Sequence, residues 1–350
     1  MLRRALIAIV ALLCVAGVAA AQDAETVVVL THDSFAISEE VLHAFEELSG
    51  ISVEILRSGD AGQMVNQAIL SKSHPLGDVL YGVDNTFLSR ALDAEIFAEY
   101  ESPQLADVPE EFHADDSYRV TPVDYGDVCL NYDLAYFEEH ELPLPESLSD
   151  LTASDYHGLL VVENAATSSP GLAFLLATIA EFGDEGDYTY LDYWRALADN
   201  DVLVVAGWSD AYYGEFTVGS RGAGDRPLVV SYASSPPAEV IYSDEPDAGA
   251  VTGAIVEDNM CFRQIEYAGV LAGAANQAGA EEFIDFMLSV DFQADLPLNM
   301  FVFPVVQDIE LPEVFVEHAA IPEKSAALDP ALIEEKRDEW IQAWTEAMLR

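Results

Sequence analysis

Thr167-Ser168-Ser169-Pro170-Gly171 sets hydroxyls and free backbone N–H groups at the start of an apolar run, with proline at the first helical position. Such a helix start is a ready anion site, because its unpaired N–H groups and the positive end of the helix dipole face one spot. Ser234-Ser235-Pro236-Pro237 makes a second start of this kind. Gly207-Trp208-Ser209-Asp210-Ala211-Tyr212-Tyr213 and Ser231-Tyr232 add flat rings suited to stacking on a planar or cationic ligand. Taken singly, each ring is an ordinary core residue and each serine an ordinary turn or cap. The set carries more weight than its members, since hydroxyls, N–H groups and ring faces recur within one stretch of chain.

Templates for turnover find no match. Gly207-Trp208-Ser209-Asp210-Ala211 lacks the second glycine of a nucleophile elbow, and there is neither a phosphate-binding Gly-Lys loop nor a paired Cys or His spacing suited to zinc. With 63 carboxylates in the chain, any two acids can be imagined as a glycosidase pair, so acid pairing carries no information. No catalytic residue, cofactor or bound metal is expected, and the chain reads as a binder instead of an enzyme. Two rivals remain. Tyr212-Tyr213 offers adjacent phenols of the kind that suits ferric iron, and an exported hydrolase using some of the carboxylates is the reading from a different class.

The 350 residues hold 63 Asp and Glu against 14 Lys and Arg, a formal net charge of -49. Contacts to nucleic-acid phosphates need clustered cations, and an anionic membrane surface would repel this chain, so both partners are excluded. The acids are spread among apolar runs, which reads as a solvated acidic surface over an ordinary core. Arg3 and Arg4, the apolar tract 5–18 and Ala19-Ala20-Ala21 match the three parts of a secretory signal, so cleavage after Ala21 and a periplasmic or otherwise extracytoplasmic location are expected. Leu13, ahead of Cys14, is not the small residue that a lipid-modified cysteine follows. The mature chain then carries 12 cations and 63 acids, or -51. Such acidity suits salty surroundings, where screening relieves self-repulsion. In an oxidising compartment Cys129 and Cys261 are an even pair, either bridged or left as two buried thiols.

These residues need elements to position them, and the apolar patterning supplies an α/β alternation. Strands are expected at 26–31, 51–56, 78–81, 158–162, 202–205 and 228–232. Helices are expected at 38–49, with Ser38 as cap and Gly50 as stop, and at 63–70, 85–98, 168–179 and 332–349. The run 120–132 reads as an extended crossing segment, and 257–272 as a strand running into a helix that returns the chain. Trp340 and Trp344, four apart on the last helix, read as core anchors.

Several motifs, in one order and covering most of the mature chain, resemble the periplasmic thiamine-binding proteins of ABC importers, within the type II solute-binding fold. They are Thr31-His-Asp-Ser-Phe35, Gly82-Val-Asp-Asn85, Pro122-Val-Asp-Tyr-Gly126, Thr167-Ser-Ser-Pro-Gly-Leu172, Gly207-Trp-Ser-Asp-Ala-Tyr212, Val230-Ser-Tyr-Ala-Ser-Ser-Pro236 and Phe303-Pro-Val305. The resemblance implies a monomer of two lobes, 22–128 with 262–350 and 129–261, joined by crossing strands that form a hinge over a ligand cleft. It implies that thiamine or a thiamine phosphate is captured there and delivered to a membrane permease driven by a cytoplasmic ATPase. Carried over position by position, Trp208 and Tyr232 would contact the ligand, Ser168 would supply a hydroxyl and Asp60 would sit opposite. Ser169, Tyr212 and Ser235 join them from the clusters above. The chain departs from the family pattern at His32 and Ala238, where tyrosines are usual, and at Phe301, which stands for a tryptophan. His32 can still stack or hydrogen-bond and Phe301 keeps a ring, whereas Ala238 removes one, leaving Tyr242 as the neighbour to fill the gap.

Overall fold

The computed structural model describes residues 25–243 and 249–348; the expected signal segment 1–21, with Arg3, Arg4 and Cys14, lies outside them. Strands β1 (Thr26–Thr31), β2 (Ser52–Arg57) and β3 (Val79–Asp84) run parallel in one half. The long β4 (Thr121–Asp133) leads into a second parallel set made by β5 (Leu160–Glu163), β6 (Leu203–Val205) and β7 (Leu228–Tyr232). After β8 (Thr252–Ile255) comes β9 (Phe262–Val270), then the short β10 (Phe303–Pro304). All join one sheet in the order β2-β1-β3-β9-β4-β7-β5-β6, with β8 and β10 also paired to β4. The two parallel sets are thus held together by β4 and β9, which run antiparallel to each other and cross from one set to the other.

Helices α1 (Glu39–Ser49), α2 (Ala61–Leu70) and α3 (Leu88–Asp93) belong to the first set, and α4 (Leu134–Glu139), α5 (Ser169–Phe182), α6 (Tyr190–Asp199) and α7 (Pro236–Ile241) to the second. The chain then continues through α8 (Gln277–Met287), α9 (Val290–Asn299), α10 (Glu313–His318) and α11 (Pro330–Met348). The start and stop expected of α1 are present: the Ser38 hydroxyl accepts from Val41 N–H, and Gly50 ends the helix at φ 75°. α5 is apolar nearly all round because it is buried along most of its length.

Three expectations are corrected. The helix expected over 85–98 covers only Leu88–Asp93, because Glu95 takes the left-handed conformation at φ 52° and Phe97 then bridges to Leu271. The segment 257–272 has no helix: β9 stays extended to Val270, Gly273 turns at φ 88°, and the next helix starts at Gln277 behind the Asn276 cap. Ser169 is the first residue of α5, which puts Pro170 second.

The register that pairs Val128 with Phe262 sets Cys129 opposite Cys261, and the two are joined by a disulfide with Cα atoms 4.4 Å apart. The alternative of two separate thiols is thereby overturned. Trp340 and Trp344 are core anchors as expected, with Trp344 edge-to-face on Trp194 of α6 at 5.4 Å. Lys336 of α11 pairs with Asp184 at 2.7 Å. The C-terminal helix therefore rests on the second set, although the resemblance assigns 262–350 to the first lobe. Its Arg337 reaches back to the Ser89 hydroxyl of α3 at 2.8 Å.

Candidate functional site

A cavity of about 190 Å³ opens where the C-terminal ends of the parallel strands from both sets meet. Brought there are the loop after β1 with His32 and Ser34, the N-terminus of α2 with Asp60, the start of α5 with Ser169, and the turn after β6 with Trp208. Open parallel sheets place ligands at this end, since the loops leaving the strands and the helix N-termini converge there. Of the nine sequence-derived contact residues, eight line this one cavity: His32, Asp60, Ser169, Trp208, Tyr212, Tyr232, Ser235 and Phe301. Ser168 does not. It occupies the N-cap position of α5 without a side-chain capping bond, fully buried near Asp60 and one position before Ser169, which does line the cavity.

The rings are held firmly. Residues Asp210–Glu215 form a π-type turn, which stacks Trp208 on Tyr212 at 4.9 Å and 19° and sets Tyr213 edge-on to Trp208 at 5.3 Å. The Trp208 indole donates to the Ser231 hydroxyl at 2.9 Å. Tyr212 is almost wholly buried, so it serves chiefly as the platform beneath Trp208. The planes of Tyr212 and Tyr213 lie at 80° to each other, and no group of three or more His, Cys, Asp or Glu able to hold a metal occurs among the described residues. Tyr232 donates to Gln264 at 2.9 Å. Tyr242 lines the same cavity as Ala238 and meets Phe301 edge-on at 5.9 Å. Phe301 enters from a left-handed backbone, φ 56°, a conformation that costs a bulky residue about 1 kcal/mol or more.

Carboxylates face these rings. Asp60 caps α2: its Oδ1 accepts from Ala61 N–H at 2.6 Å, and its Oδ2 accepts from Trp208 N–H of the opposite half at 2.9 Å. Burial raises the Asp60 pKa, opposed by those N–H groups, the Ser168 hydroxyl and His32. Glu266 on β9 lies 3.4 Å from His32. Burial works against both charges, yet Glu266 raises the His32 pKa and His32 holds Glu266 below its usual range, so each favours the charged form of the other. Gly82, at φ 95°, leaves the room that the His32 ring occupies, where a Cβ would collide with it. Below the pair, Tyr81 donates to Asp124, whose pKa burial and then Glu266 push well up, favouring its neutral form. Burial also lifts Asp84 to about 6 against donors from Thr86 and Gln264.

Sequence reasoning missed Glu266, Ser34 and Met300 as lining residues, and Glu163, a buried carboxyl within electrostatic range of Asp60. Glu163 ends β5 fully buried with neither oxygen hydrogen-bonded, and burial pushes its pKa well up. The available signal was polarity inside apolar strands: Gln264 and Glu266 share one face of β9, yet both are buried. The assembled site is a small cleft with ring faces on one side and carboxylates on the other, which suits a planar cation.

A family model described as bacterial extracellular solute-binding protein matches residues 74–336. The chain is 30% identical over 348 residues to the thiamine-binding periplasmic protein of Brucella suis, covering 97% of each. Against the protein of that name from Escherichia coli it is 29% identical over 344 residues, again covering 97% of each. Among solved structures, a periplasmic thiamin binding protein superposes with a TM-score of 0.80 at 26% identity, across 93% of this chain and 96% of that one.

Proposed function

The chain belongs to the bacterial extracellular solute-binding proteins, with the two-lobe type II periplasmic-binding-protein fold, and on that premise we propose that it captures thiamine or a thiamine phosphate between its lobes. It delivers this cargo to an ABC permease driven by a cytoplasmic ATPase, and turns nothing over. The observation that carries the reading is the cavity itself, in which Trp208 and Tyr232 from one lobe face Asp60 and the Glu266 carboxylate. Thiamine bears a permanent thiazolium charge on a flat ring. A desolvated ring face attracts such a charge by roughly 0.5 to 2 kcal/mol, and nearby carboxylates add Coulombic attraction.

We take the lobes to divide within the crossing strands near Cys129 and Cys261, with α11 seated on the second. The chain works as a monomer in the periplasm or an equivalent extracytoplasmic space, after loss of its signal segment. Contacts from Asp60 to Trp208 N–H and between the Ser34 and Ser209 hydroxyls at 3.5 Å span the cleft, as closure around a ligand requires. Calorimetric titration of the mature chain with thiamine should give one saturable site per chain. No heat at millimolar thiamine or thiamine monophosphate would contradict the reading. A visible charge-transfer band on adding ferric ion, abolished by Tyr213→Phe, would favour iron instead.

A further inference from the structure

Among the described side chains that line the cavity, two are carboxylates, Asp60 and Glu266, and one, His32, is able to carry a positive charge. The two carboxylates are held differently. Each oxygen of Asp60 accepts a backbone N–H, from Ala61 and from Trp208, so fixed dipoles meet its charge. Glu266 instead receives the Tyr81 hydroxyl on Oε2 at 3.4 Å and sets Oε1 against His32 Nε2, also at 3.4 Å. Both partners are buried in the cavity wall, His32 at 8% exposure and Glu266 at 6%. The titratable groups around His32 come from every side: Glu266 of β9, Asp60 at the start of α2, Asp33 in its own loop and the Tyr81 ring of β3 at 5.9 Å. Asp124 of β4 and Tyr232 of β7 stand near Glu266. Burial lowers the His32 pKa, but Glu266, Asp60 and Asp33 together outweigh it and lift the value above 6.5, so the ring is mostly protonated at pH 6.

His32 therefore stands as an internal cation beside the carboxylate that a cationic ligand would use. A thiazolium ion cannot shed its charge, whereas an imidazolium ion can. The cavity measures only about 190 Å³, which brings a bound cation within short Coulombic range of both groups. Two positive charges beside one buried carboxylate repel each other, and that repulsion ends if His32 loses its proton. We propose that capture of the cation is an exchange in which His32 releases one proton to solvent and Glu266 passes from neutralising His32 to neutralising the ligand. The inference rests on the thiamine reading and deepens it. Charge is conserved within the cavity: imidazolium and carboxylate before capture, neutral imidazole, carboxylate and thiazolium after it, with the proton in water. By linkage, affinity rises with pH as long as His32 is charged in the free protein, and levels off above its folded pKa.

Calorimetric titration of the mature chain with thiamine, repeated in two buffers of different ionisation enthalpy, counts the protons released. The count should be about one per thiamine at pH 6, and thiamine should bind about fourfold tighter or more at pH 8 than at pH 6. Thiamine binding without proton release, and with equal affinity at the two pH values, overturns the exchange and leaves the thiamine reading standing; no thiamine binding at either pH overturns both. His32→Gln keeps a polar side chain that does not titrate, so most of the release and of the pH dependence should disappear. Undiminished release in this variant overturns the role assigned to His32. Glu266→Gln should weaken thiamine binding at pH 8 severalfold, and affinity equal to wild type overturns Glu266 as the counter-charge.

Discussion

At the residue scale the site rests on a few side chains whose positions are fixed by their neighbours. Trp208 is stacked from below by Tyr212 and pinned at its indole nitrogen by Ser231, so its face is offered to the ligand at little cost in rotamer freedom. Trp208→Ala should weaken thiamine binding about tenfold by calorimetry, in line with a ring–cation contact of roughly 0.5 to 2 kcal/mol; unchanged affinity would remove Trp208 from the contact set. Much of this was legible in sequence, because Trp208 and Ser169 sit in short motifs at a turn and at a helix start. Glu266 was not. Its role comes from a strand pairing that brings it under His32, and that partner lies 234 positions away. Ser168, expected as a contact together with Ser169, is buried just before the helix start and outside the cavity lining, whereas Ser169 is in it.

At the element scale, close approach of α2 to the loop before α5 decides how far the cleft can close. Gly62→Ala would push a Cβ against the Thr167 carbonyl oxygen at 2.8 Å and the Phe87 ring at 2.9 Å. It should therefore weaken thiamine binding severalfold through impaired closure, and affinity equal to wild type would show that the two helix starts do not govern it. The crossing strands carry the second prediction. Cys129 and Cys261 close a loop of 132 positions, so loss of the bridge in the double alanine variant should cost about 2 to 5 kcal/mol of unfolding free energy in a urea titration. Free-thiol titration of the denatured, unreduced mature chain should find none; two thiols per chain would contradict the bridge. Sequence patterning located β1, β4, β7 and α11 well, because each is a long or uniformly apolar run. It overran at 85–98 and mistook 257–272 because single left-handed residues, Glu95 and Gly273, end those elements, and apolar periodicity is blind to them.

At the scale of the whole molecule, buried acids and surface charge bear on stability together. Burial lifts Asp84 to about 6, and a carboxyl raised in the folded state disfavours folding above that pKa and ceases to do so below its unfolded value near 3.8. That displacement alone corresponds to about 3 kcal/mol. Asp124 and Glu163 are shifted in the same direction. His32, raised by Glu266 despite burial, stabilises below its ordinary 6.5 and loses that contribution as pH rises through its higher folded value. Glu266, held down by His32 against burial, stabilises above its ordinary 4.5 and loses that contribution only as pH falls through its lower folded value. Tm should therefore be highest near pH 5 to 6 and fall toward pH 8, and a Tm that rises across that interval would contradict these directions. With 63 acids against 14 Lys and Arg, repulsion across the surface is relieved by salt, whose Debye length is about 3 Å at 1 M. Tm should climb between low and molar salt at pH 8, and no change would remove salt adaptation as the reason for the acidity. The central claim is that the interlobe cavity seats a planar cation, and a crystal structure of the mature chain grown with thiamine tests it most directly. The account predicts the cation in the cavity against the Trp208 ring face and within reach of Asp60 and Glu266; a ligand seated elsewhere, or a cavity left vacant at saturating thiamine, would contradict it.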